Sequence, residues 1–152
     1  METRTAIISD AKEMQLLHTN AIKKTCSDCY SKVQIDVWLD GRTPEGYHEA
    51  INKGDMYVVV ENRMIVGFGH AIPGEIVAIY VDPASHKKGI GKLLLEYGLQ
   101  IALKGHTNVK VESSINAEGF YKKHGFIKIR DGVHITKGVE SPTVILEYSK
   151  SS

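Results

Sequence analysis

The residues best suited to chemistry lie in a glycine- and lysine-rich turn in the middle of the chain. An apolar run at 76–81 ends at Asp82-Pro83, and Gly89-Ile90-Gly91 then opens an apolar helical pattern. The first N–H groups of a helix have no intrahelical partner, and the helix dipole adds partial positive charge there. Glycines at such a turn let phosphate oxygens approach the backbone closely. The stretch predicts a pyrophosphate-binding site, to which cations are added by Lys87, Lys88 and Lys92.

Two better-known phosphate-binding loops do not fit this turn. A P-loop requires glycine at position 86 and Ser or Thr at position 93, where the sequence has His86 and Leu93. A dinucleotide fingerprint requires a third glycine at the position of Leu94. These mismatches argue against a nucleotide-binding domain of either kind. The simplest competing interpretation is an ordinary strand–loop–helix connection with a solvated basic turn.

A second group of residues follows at 113–126, which reads SSINAEGFYKKHGF. It resembles the GNAT superfamily motif Ser-x-Asn-Ala-x-x-Phe-Tyr-x-Lys-x-Gly-Phe. The matching positions are Ser114, Asn116, Ala117, Phe120, Tyr121, Lys123, Gly125 and Phe126. The glycine-rich turn resembles the acetyl-CoA motif of the same N-acetyltransferases, Gln/Arg-x-x-Gly-x-Gly/Ala, but His86 stands where Arg or Gln is usual. Similar segments at 30–38 and 56–66 extend the resemblance over nearly the whole chain.

The resemblance implies transfer of an acetyl group from the cosubstrate acetyl-CoA to a primary amine, by direct attack in a ternary complex. Backbone groups of Ile79 and Val81 would pair with the pantetheine amides, as an added strand pairs with a sheet edge. A backbone N–H at a bulge in this strand would polarise the thioester carbonyl. Asn116 and Lys123 would contact the far side of the cofactor. The pyrophosphate would be held by the amides of Lys87, Lys88, Gly89, Ile90, Gly91 and Lys92.

The same resemblance assigns the proton transfers. Tyr121 would protonate the leaving thiolate, although a half-buried structural tyrosine is the competing interpretation. An amine with a pKa of about 10 must lose a proton before it attacks. Glu75 is the first candidate base, and a surface charge at a strand end is its alternative. Glu112 is the second candidate, and a chain of waters is the third.

The acceptor amine is not named by the sequence. A small-molecule amine and a peptide or protein amine both remain open. Candidates for lining its site are Tyr30, Trp38, Tyr47, His70 and His134. A non-catalytic acyl-CoA-binding or regulatory module on the same fold is the alternative function. An intact Tyr121 favours catalysis, whereas His86 in the loop favours the alternative.

Composition limits the class of protein. The chain has 152 residues, 42% of them hydrophobic, and a net charge of +1, so no global field favours nucleic acid or an anionic membrane. The N-terminus does not resemble a signal peptide, and Pro73 and Gly74 interrupt the apolar stretch at 64–81. We therefore expect a cytoplasmic protein without nucleic-acid or membrane partners, and the resemblance allows a homodimer. Cys26 and Cys29 lack a second cysteine pair, so no metal site is expected.

The first elements that would position the site follow from periodicity. An apolar, β-branched segment at 3–9 predicts a first strand. Asp10 would cap the next helix, with Glu13 as its capping-box partner. Ser31 would cap a second helix, and residues 44–53 would form a third. The predicted apolar face of the second helix excludes Ile35 and consists of Val33, Val37 and Trp38.

The remaining elements complete a single domain over 1–152. Strands at 56–61, 64–72 and 75–82 predict an antiparallel meander that leads into the glycine-rich turn. The helix at 89–104 contains Gly98, which costs about 1 kcal/mol relative to Ala but allows close packing against a strand. Later elements are a strand at 108–113, a helix at 116–124, a strand at 126–130, a loop at 131–142 and a strand at 143–148. The fold class is α/β with a mixed sheet in the order β-α-α-α-β-β-β-α-β-α-β-β, and the GNAT fold implies a splay between the fourth and fifth strands.

Overall fold

The computed structural model describes residues 1–85 and 89–150 and is built around one seven-stranded mixed sheet. The strands are β1 (Glu2–Thr5), β2 (Met56–Glu61), β3 (Met64–Ile72), β4 (Glu75–Val81), β5 (Asn108–Ser114), β6 (Ile127–Thr136) and β7 (Val139–Ser149). The helices are α1 (Ala11–Thr25), α2 (Lys32–Leu39), α3 (His48–Asn52), α4 (Ile90–Ala102) and α5 (Glu118–Lys123). This succession confirms the predicted fold class and order of elements.

The sheet consists of two antiparallel parts joined by a short parallel contact. Strands β1 to β4 form a meander, and β5, β7 and β6 form the second part. In the described chain, β4 pairs with β5 at two positions, Glu75 with Lys110 and Ile76 with Val111. Strand β4 nevertheless continues to Val81. Beyond Ile76 the two strands therefore separate, which is the splay that the resemblance implied.

A bulge lies in β4 where this separation begins. His70 of β3 is opposite Ala78, whereas the next residue, Ala71, is opposite Ile76. Val77 is therefore the extra residue, and it lies outside the regular ladder. A bulge of this kind re-aims backbone groups and side chains.

Helices cover both faces of the sheet. On one face, α4 buries Ile90 and Leu94 in a core cluster that includes Val111 of β5 and Leu146 of β7. On the other face, α1 and α3 pack on β2 and β3 through a second cluster. The first cluster spans both parts of the sheet, so packing rather than strand pairing holds the parts together. Within residues 1–85 and 89–150, no helix is long and apolar enough to cross a membrane.

Gly98 allows α4 to approach the sheet closely, as predicted. The Tyr57 side chain of β2 is fully buried between Gly98 and Gly69 of β3. A Cβ atom on Gly98 would collide with the Tyr57 hydroxyl and lie 2.9 Å from Cδ1 of Ile76. The glycine therefore provides room for an aromatic ring.

Three local predictions near the N-terminus were wrong. Strand β1 ends at Thr5, because a 3₁₀ turn at Ile8–Asp10 begins before α1. Glu13 does not complete a capping box; its Oε2 accepts the N–H of Ile65 at 2.6 Å, beside an irregular step in the β2–β3 ladder. In α2 the buried residue is Ile35, whereas Val33 is 60% exposed. The cap of α2 was correct: Ser31 accepts from the N–H of Gln34.

The predicted loop at 131–142 is instead a long β-hairpin. Strand β6 runs to Thr136, and β7 starts at Val139 after a turn in which Lys137 and Gly138 have φ values of +50° and +77°. Pro142 fits in β7 because pairing with β5 begins one residue later, at Thr143. The missing N–H of the proline therefore removes no bond to β5.

Candidate active site

The separation of β4 from β5 contributes to a cleft of about 680 Å³. Residues of both strands line it, namely Glu75 and residues 77–80 on β4 and residues 112–114 on β5. Tyr121 of α5 also faces this space. The structure thus brings the three residues predicted for proton transfer to one cleft. Every aromatic or histidine candidate for the acceptor site lines it as well, namely Tyr30, Trp38, Tyr47, His70 and His134.

Tyr121 is held rigidly at the edge of the cleft. The residue is 4% exposed, and its ring lies 5.2 Å from that of Phe120 and 5.3 Å from that of Phe126. Burial raises the pKa of the Tyr121 phenol above its ordinary value. The group is therefore a neutral O–H donor at physiological pH, as a proton donor to a leaving thiolate must be.

Two carboxylates reach the cleft from different strands. Glu75 begins β4 and is half-buried. Burial lowers the pKa of the nearby His70, and the charges of Asp55 and then Glu75 oppose that effect in part. Glu112 is exposed, and its Oε2 accepts a hydrogen bond from Thr143 Oγ1 at 2.7 Å. Glu112 is thus oriented by a fixed donor, whereas Glu75 lies at the end of the cleft where β4 and β5 are still paired. The geometry brings both carboxylates to the cleft and does not favour either of them as the base.

The start of α4 is the place where the sequence predicts an anion site. Gly89 precedes the helix with a φ of +76°, and Leu93 N–H donates to Gly89 O at 3.2 Å. Ile90, Gly91 and Lys92 lie before that bond in the first turn, where the N–H groups of a helix in general lack an intrahelical acceptor. The Lys92 side chain is 66% exposed and lies 3.9 Å from Glu96. The predicted contacts Lys87 and Lys88, and the divergent His86, lie outside the described residues.

Gly91 has a packing role that the sequence did not indicate. A Cβ atom at this position would lie 3.0 Å from Cε1 of Phe120. The absence of a side chain therefore allows α4 to contact α5, in addition to any role in binding an anion. Substitution of Gly91 would therefore disturb the contact between α4 and α5 as well as any anion binding.

The outer part of β4 fits an extended chain of amides. Ile79 and Val81 pair with Gly69 and Gly67 of β3 on one side. On the other side, the described residues of β5 do not pair with β4 beyond Ile76. This edge lies between the bulge and the start of α4. An unpaired strand edge that leads to an anion site suits the amides and pyrophosphate of acetyl-CoA, so the residues present fit the group that the resemblance implies.

The two remaining cofactor candidates lie outside the cleft lining. Asn116 is exposed in the turn between β5 and α5. Burial raises the pKa of the Cys26 thiol, against smaller opposite effects of Thr25 and then Asn116. Cys26 is buried and Cys29 is exposed, and both are free thiols. Lys123 is exposed at the C-terminal end of α5.

A polar cluster in the cleft contains two residues that the sequence analysis missed, His18 in α1 and Arg42 after α2. Its third member, Tyr47, was among the predicted acceptor-site candidates. Nη1 of Arg42 lies 3.2 Å from Nδ1 of His18, and the Tyr47 hydroxyl lies 2.8 Å from the same nitrogen. Burial, and then the charge of Arg42, lower the pKa of His18 to about 3. The signal was available: His18 lies four residues from both Met14 and Ile22 on the buried stripe of α1.

The wall formed by α2 is fixed to the opposite side of the cleft. The Tyr30 hydroxyl donates to the carbonyl oxygen of Pro142 at 2.6 Å and accepts the N–H of Ile115 at 3.0 Å. Gln34 donates to the carbonyl oxygen of Glu140 at 2.9 Å. Lys137 at the hairpin turn forms an ion pair with Asp40. These contacts hold the α2 wall to the β6–β7 hairpin and to the end of β5.

Comparison with known proteins agrees with this geometry. The chain is 26% identical over 121 residues to the uncharacterized N-acetyltransferase YafP of Escherichia coli (strain K12), an alignment that covers 80% of this chain and 77% of YafP. A GCN5-related N-acetyltransferase from Rhodopseudomonas palustris, named "Aminotransferase, Class-II", superposes with a TM-score of 0.90 at 22% identity, covering 97% of this chain and 94% of that one. The PaiA N-acetyltransferase from Thermoplasma acidophilum, solved in complex with coenzyme A, gives a TM-score of 0.76 at 24% identity and covers 97% and 98%.

The family itself follows from a match of sequence rather than of shape. The family model of the acetyltransferase (GNAT) domain matches residues 26–141, a range that runs from the end of α1 to the first residues of β7. It includes the separation of β4 from β5, the start of α4 and Tyr121. The chain therefore belongs to the GNAT acetyltransferase family.

Proposed function

We propose that this acetyltransferase transfers the acetyl group of acetyl-CoA to a primary amine by direct attack in a ternary complex. The observation that carries the proposal is the separation of β4 from β5, because it leads to a cleft lined by Tyr121, Glu75 and Glu112. Residues 1–152 would act as one acetyltransferase domain. A cytoplasmic location and a homodimer belong to the same proposal.

The donor side uses backbone groups and cations of this chain. Acetyl-CoA supplies the acetyl group as an activated thioester. The free edge of β4 at Ile79 and Val81 would bind the pantetheine amides, and the amides of residues 89–92 would bind the pyrophosphate. Lys87, Lys88 and Lys92 would add positive charge, and Asn116 and Lys123 would contact the far side of the cofactor.

The catalytic side moves protons at two atoms, the nitrogen of the acceptor and the sulfur of CoA. Glu75 would accept a proton from the ammonium form of the acceptor, directly or through water, and Glu112 is the second candidate for this step. The amine nitrogen then forms a bond to the carbonyl carbon while the bond from carbon to sulfur breaks. A backbone N–H at the Val77 bulge would stabilise the developing negative charge on oxygen. Tyr121 would donate its proton to the departing sulfur. The second proton of the attacking nitrogen, which leaves as the amide forms, would return through water to the Tyr121 phenolate.

The test begins with equilibrium binding. Isothermal titration with acetyl-CoA, with ATP and NAD as controls, should show binding of acetyl-CoA alone. Lys92→Glu should weaken that binding, because it places a negative charge beside the first turn of α4. Lys12→Glu makes the same charge change at an exposed position of α1 and should leave the affinity unchanged.

Turnover then separates an enzyme from a binding module. Release of the free thiol of CoA should depend on an added amine. Binding of acetyl-CoA without amine-dependent release of CoA across a broad amine panel would instead support the non-catalytic alternative. Failure of acetyl-CoA to bind would overturn both the proposed enzyme activity and the alternative of a non-catalytic binding module.

A further inference from the structure

Arg42 is a half-buried cation without a carboxylate partner in the part of the chain that the structure describes. The ion pairs within residues 1–85 and 89–150 do not include it. Asp40, the acidic residue of the cleft that is nearest in sequence, is paired with Lys137. A guanidinium that has lost part of its hydration gains from an anion, and its planar fork matches a carboxylate.

The guanidinium of Arg42 is fixed in position before any ligand binds. Its Nε donates to the carbonyl oxygen of Trp38 at 3.0 Å, and Nη1 donates to Nδ1 of His18 at 3.2 Å. The backbone oxygen of Arg42 accepts from Gln15 at 2.8 Å. These contacts leave further N–H donors of the guanidinium without a carboxylate. Fixed donors of this kind reduce the entropy lost on binding.

His18 adds a second donor that has no acceptor. Because a guanidinium only donates, Nδ1 of His18 must accept, and the ring proton lies on Nε2. His18 is 5% exposed, and Nε2 has no hydrogen-bond partner within the described residues. Buried polar groups are normally satisfied, so a group of this kind calls for an explanation. Both residues line the cleft. Within the described residues Nε2 of His18 lacks an acceptor, and Arg42 lacks a carboxylate.

The opposite charge lies elsewhere in the same cleft. Glu75 and Glu112 line it, and the ion pairs of the described chain include neither. The cleft therefore offers a fixed cation at one place and carboxylates at another. A ligand with both an ammonium and a carboxylate group complements this arrangement.

We propose that the acceptor is a small amine that also carries a carboxylate, and that Arg42 binds that carboxylate. This inference rests on the proposed acetyl transfer and names its substrate class. A small molecule is favoured over a peptide because Tyr30, Gln34 and Lys137 hold the α2 wall to the β-hairpin across the cleft.

The fold also indicates how far apart the two groups of the acceptor lie. The ring of His18 packs on Tyr80, with centroids 4.1 Å apart. Tyr80 is three residues beyond Val77, where the reaction is placed, which is about 10 Å along a strand. Acceptors whose amine and carboxylate are separated by several methylenes should therefore fit better than simple α-amino acids.

The experiment compares amines that differ by the carboxylate alone. The probes are 5-aminopentanoate with butylamine, 6-aminohexanoate with pentylamine, and alanine with ethylamine, each titrated into the protein of residues 1–152 saturated with CoA. At least one carboxylate-bearing probe should bind about tenfold to a hundredfold more tightly than its partner. Arg42→Gln should reduce that ratio to near one, and Arg42→Lys should keep part of it. Arg63→Gln, at the exposed β2–β3 turn, should keep all of it.

Each outcome decides the proposal. Equal binding within every pair by the wild-type protein would overturn it, and so would a preference that survives in Arg42→Gln protein with a native circular-dichroism spectrum. A lysine-containing peptide with an amidated C-terminus that binds more tightly than the amino acids would overturn the small-molecule class. Release of CoA is measured separately. A preference for the carboxylate without turnover would support carboxylate binding at Arg42 and count against the proposed function, and with it against the role of the ligand as acceptor.

Discussion

Tyr121 combines two properties at the scale of a single side chain: it is buried among aromatic rings, and it lines the cleft. If its phenol protonates the leaving sulfur, Tyr121→Phe should lower kcat by about 10²- to 10⁴-fold. The KM for acetyl-CoA should change little, because the ring remains. Steady-state kinetics with a fixed amine would measure both constants.

The matched control is Tyr148→Phe, which removes a phenol from a residue that packs on Phe126 at 5.4 Å but does not line the cleft. Its kcat should equal that of the wild type. A wild-type kcat in Tyr121→Phe would remove the residue from the mechanism.

His18 makes stability depend on pH. Its pKa in the folded protein is about 3, against 6.5 as the ordinary value, first because of burial and then because of the charge of Arg42. The unfolded chain therefore binds a proton below pH 6.5 that the folded protein does not bind until about pH 3. As the pH is lowered from 6.5 towards 3, the free energy of unfolding should fall by up to about 1.4 kcal/mol per pH unit. Above pH 6.5, His18 should not affect it.

Urea unfolding at pH 7.5, 6.0 and 5.0 would test this dependence. His18→Gln should show a shallower loss of stability with acidification than the wild type, whereas the exposed His106→Gln should behave like the wild type. Parallel curves for His18→Gln and the wild type would show that the buried imidazole does not control the acid limit.

The candidate site was predictable from the sequence where local pattern defines it. Tyr121 belongs to a motif with fixed spacing, and Glu75 marks the start of a strand that periodicity defines. His18 and Arg42 are separated by 24 positions, and the contact between them depends on how α1 packs against the segment after α2. A histidine on a buried stripe is also compatible with simple core packing, so spacing alone could not assign it.

At the scale of elements, the contact between α4 and β2 depends on one glycine. In an ordinary helix, Gly98→Ala would raise stability by about 1 kcal/mol. Here the added methyl would collide with the Tyr57 hydroxyl, so we expect a loss of about 1–3 kcal/mol instead. Adding Tyr57→Phe should recover part of that loss, because the buried hydroxyl has no partner within the described residues.

Denaturant unfolding of the two single variants and the double variant would give the coupling free energy between these positions. Gly119→Ala in α5 is the control, since a Cβ atom on Gly119 would meet no neighbouring element within 4 Å among the described residues. The stability of this variant should be unchanged or slightly higher. A stabilising Gly98→Ala would contradict the close approach.

Elements with a strong periodic core face were predicted correctly, and elements without one were not. Helix α4 and strands β2 and β3 each bury several apolar residues, and β4 packs Ile76, Ile79 and Val81 on the α4 cluster. Strand β6 exposes Val133 and Ile135 at 51% and 61%, so hydrophobic burial gave no reason to extend it past residue 130. Helix α2 has eight residues, too few for periodicity to distinguish Ile35 from Val33. Its orientation is determined by packing on Ile22 and Cys26 of the α1 end.

At the scale of the whole molecule, the sheet is weakest where the site lies. Strands β4 and β5 share two paired positions, whereas β5 and β7 share seven. The common core on the α4 face must then keep the parts together. A ligand that pairs with β4 beyond Ile76 would complete the sheet locally. Its effect on the stability of backbone hydrogen bonds should therefore be largest in the outer part of β4.

Hydrogen exchange would detect this completion. Saturation with acetyl-CoA at about 100 times its Kd raises the free energy of unfolding by about 2.7 kcal/mol, which slows exchange wherever exchange requires global unfolding. Amides at 77–81 should gain protection beyond that uniform increase, and alternate residues should gain most, because successive N–H groups of a strand point to opposite edges. Peptides from β1, at the far edge of the sheet, serve as the control and should show no excess. Excess protection in β1 equal to that at 77–81 would mean that binding tightens the whole sheet, and no excess at 77–81 would place the pantetheine elsewhere.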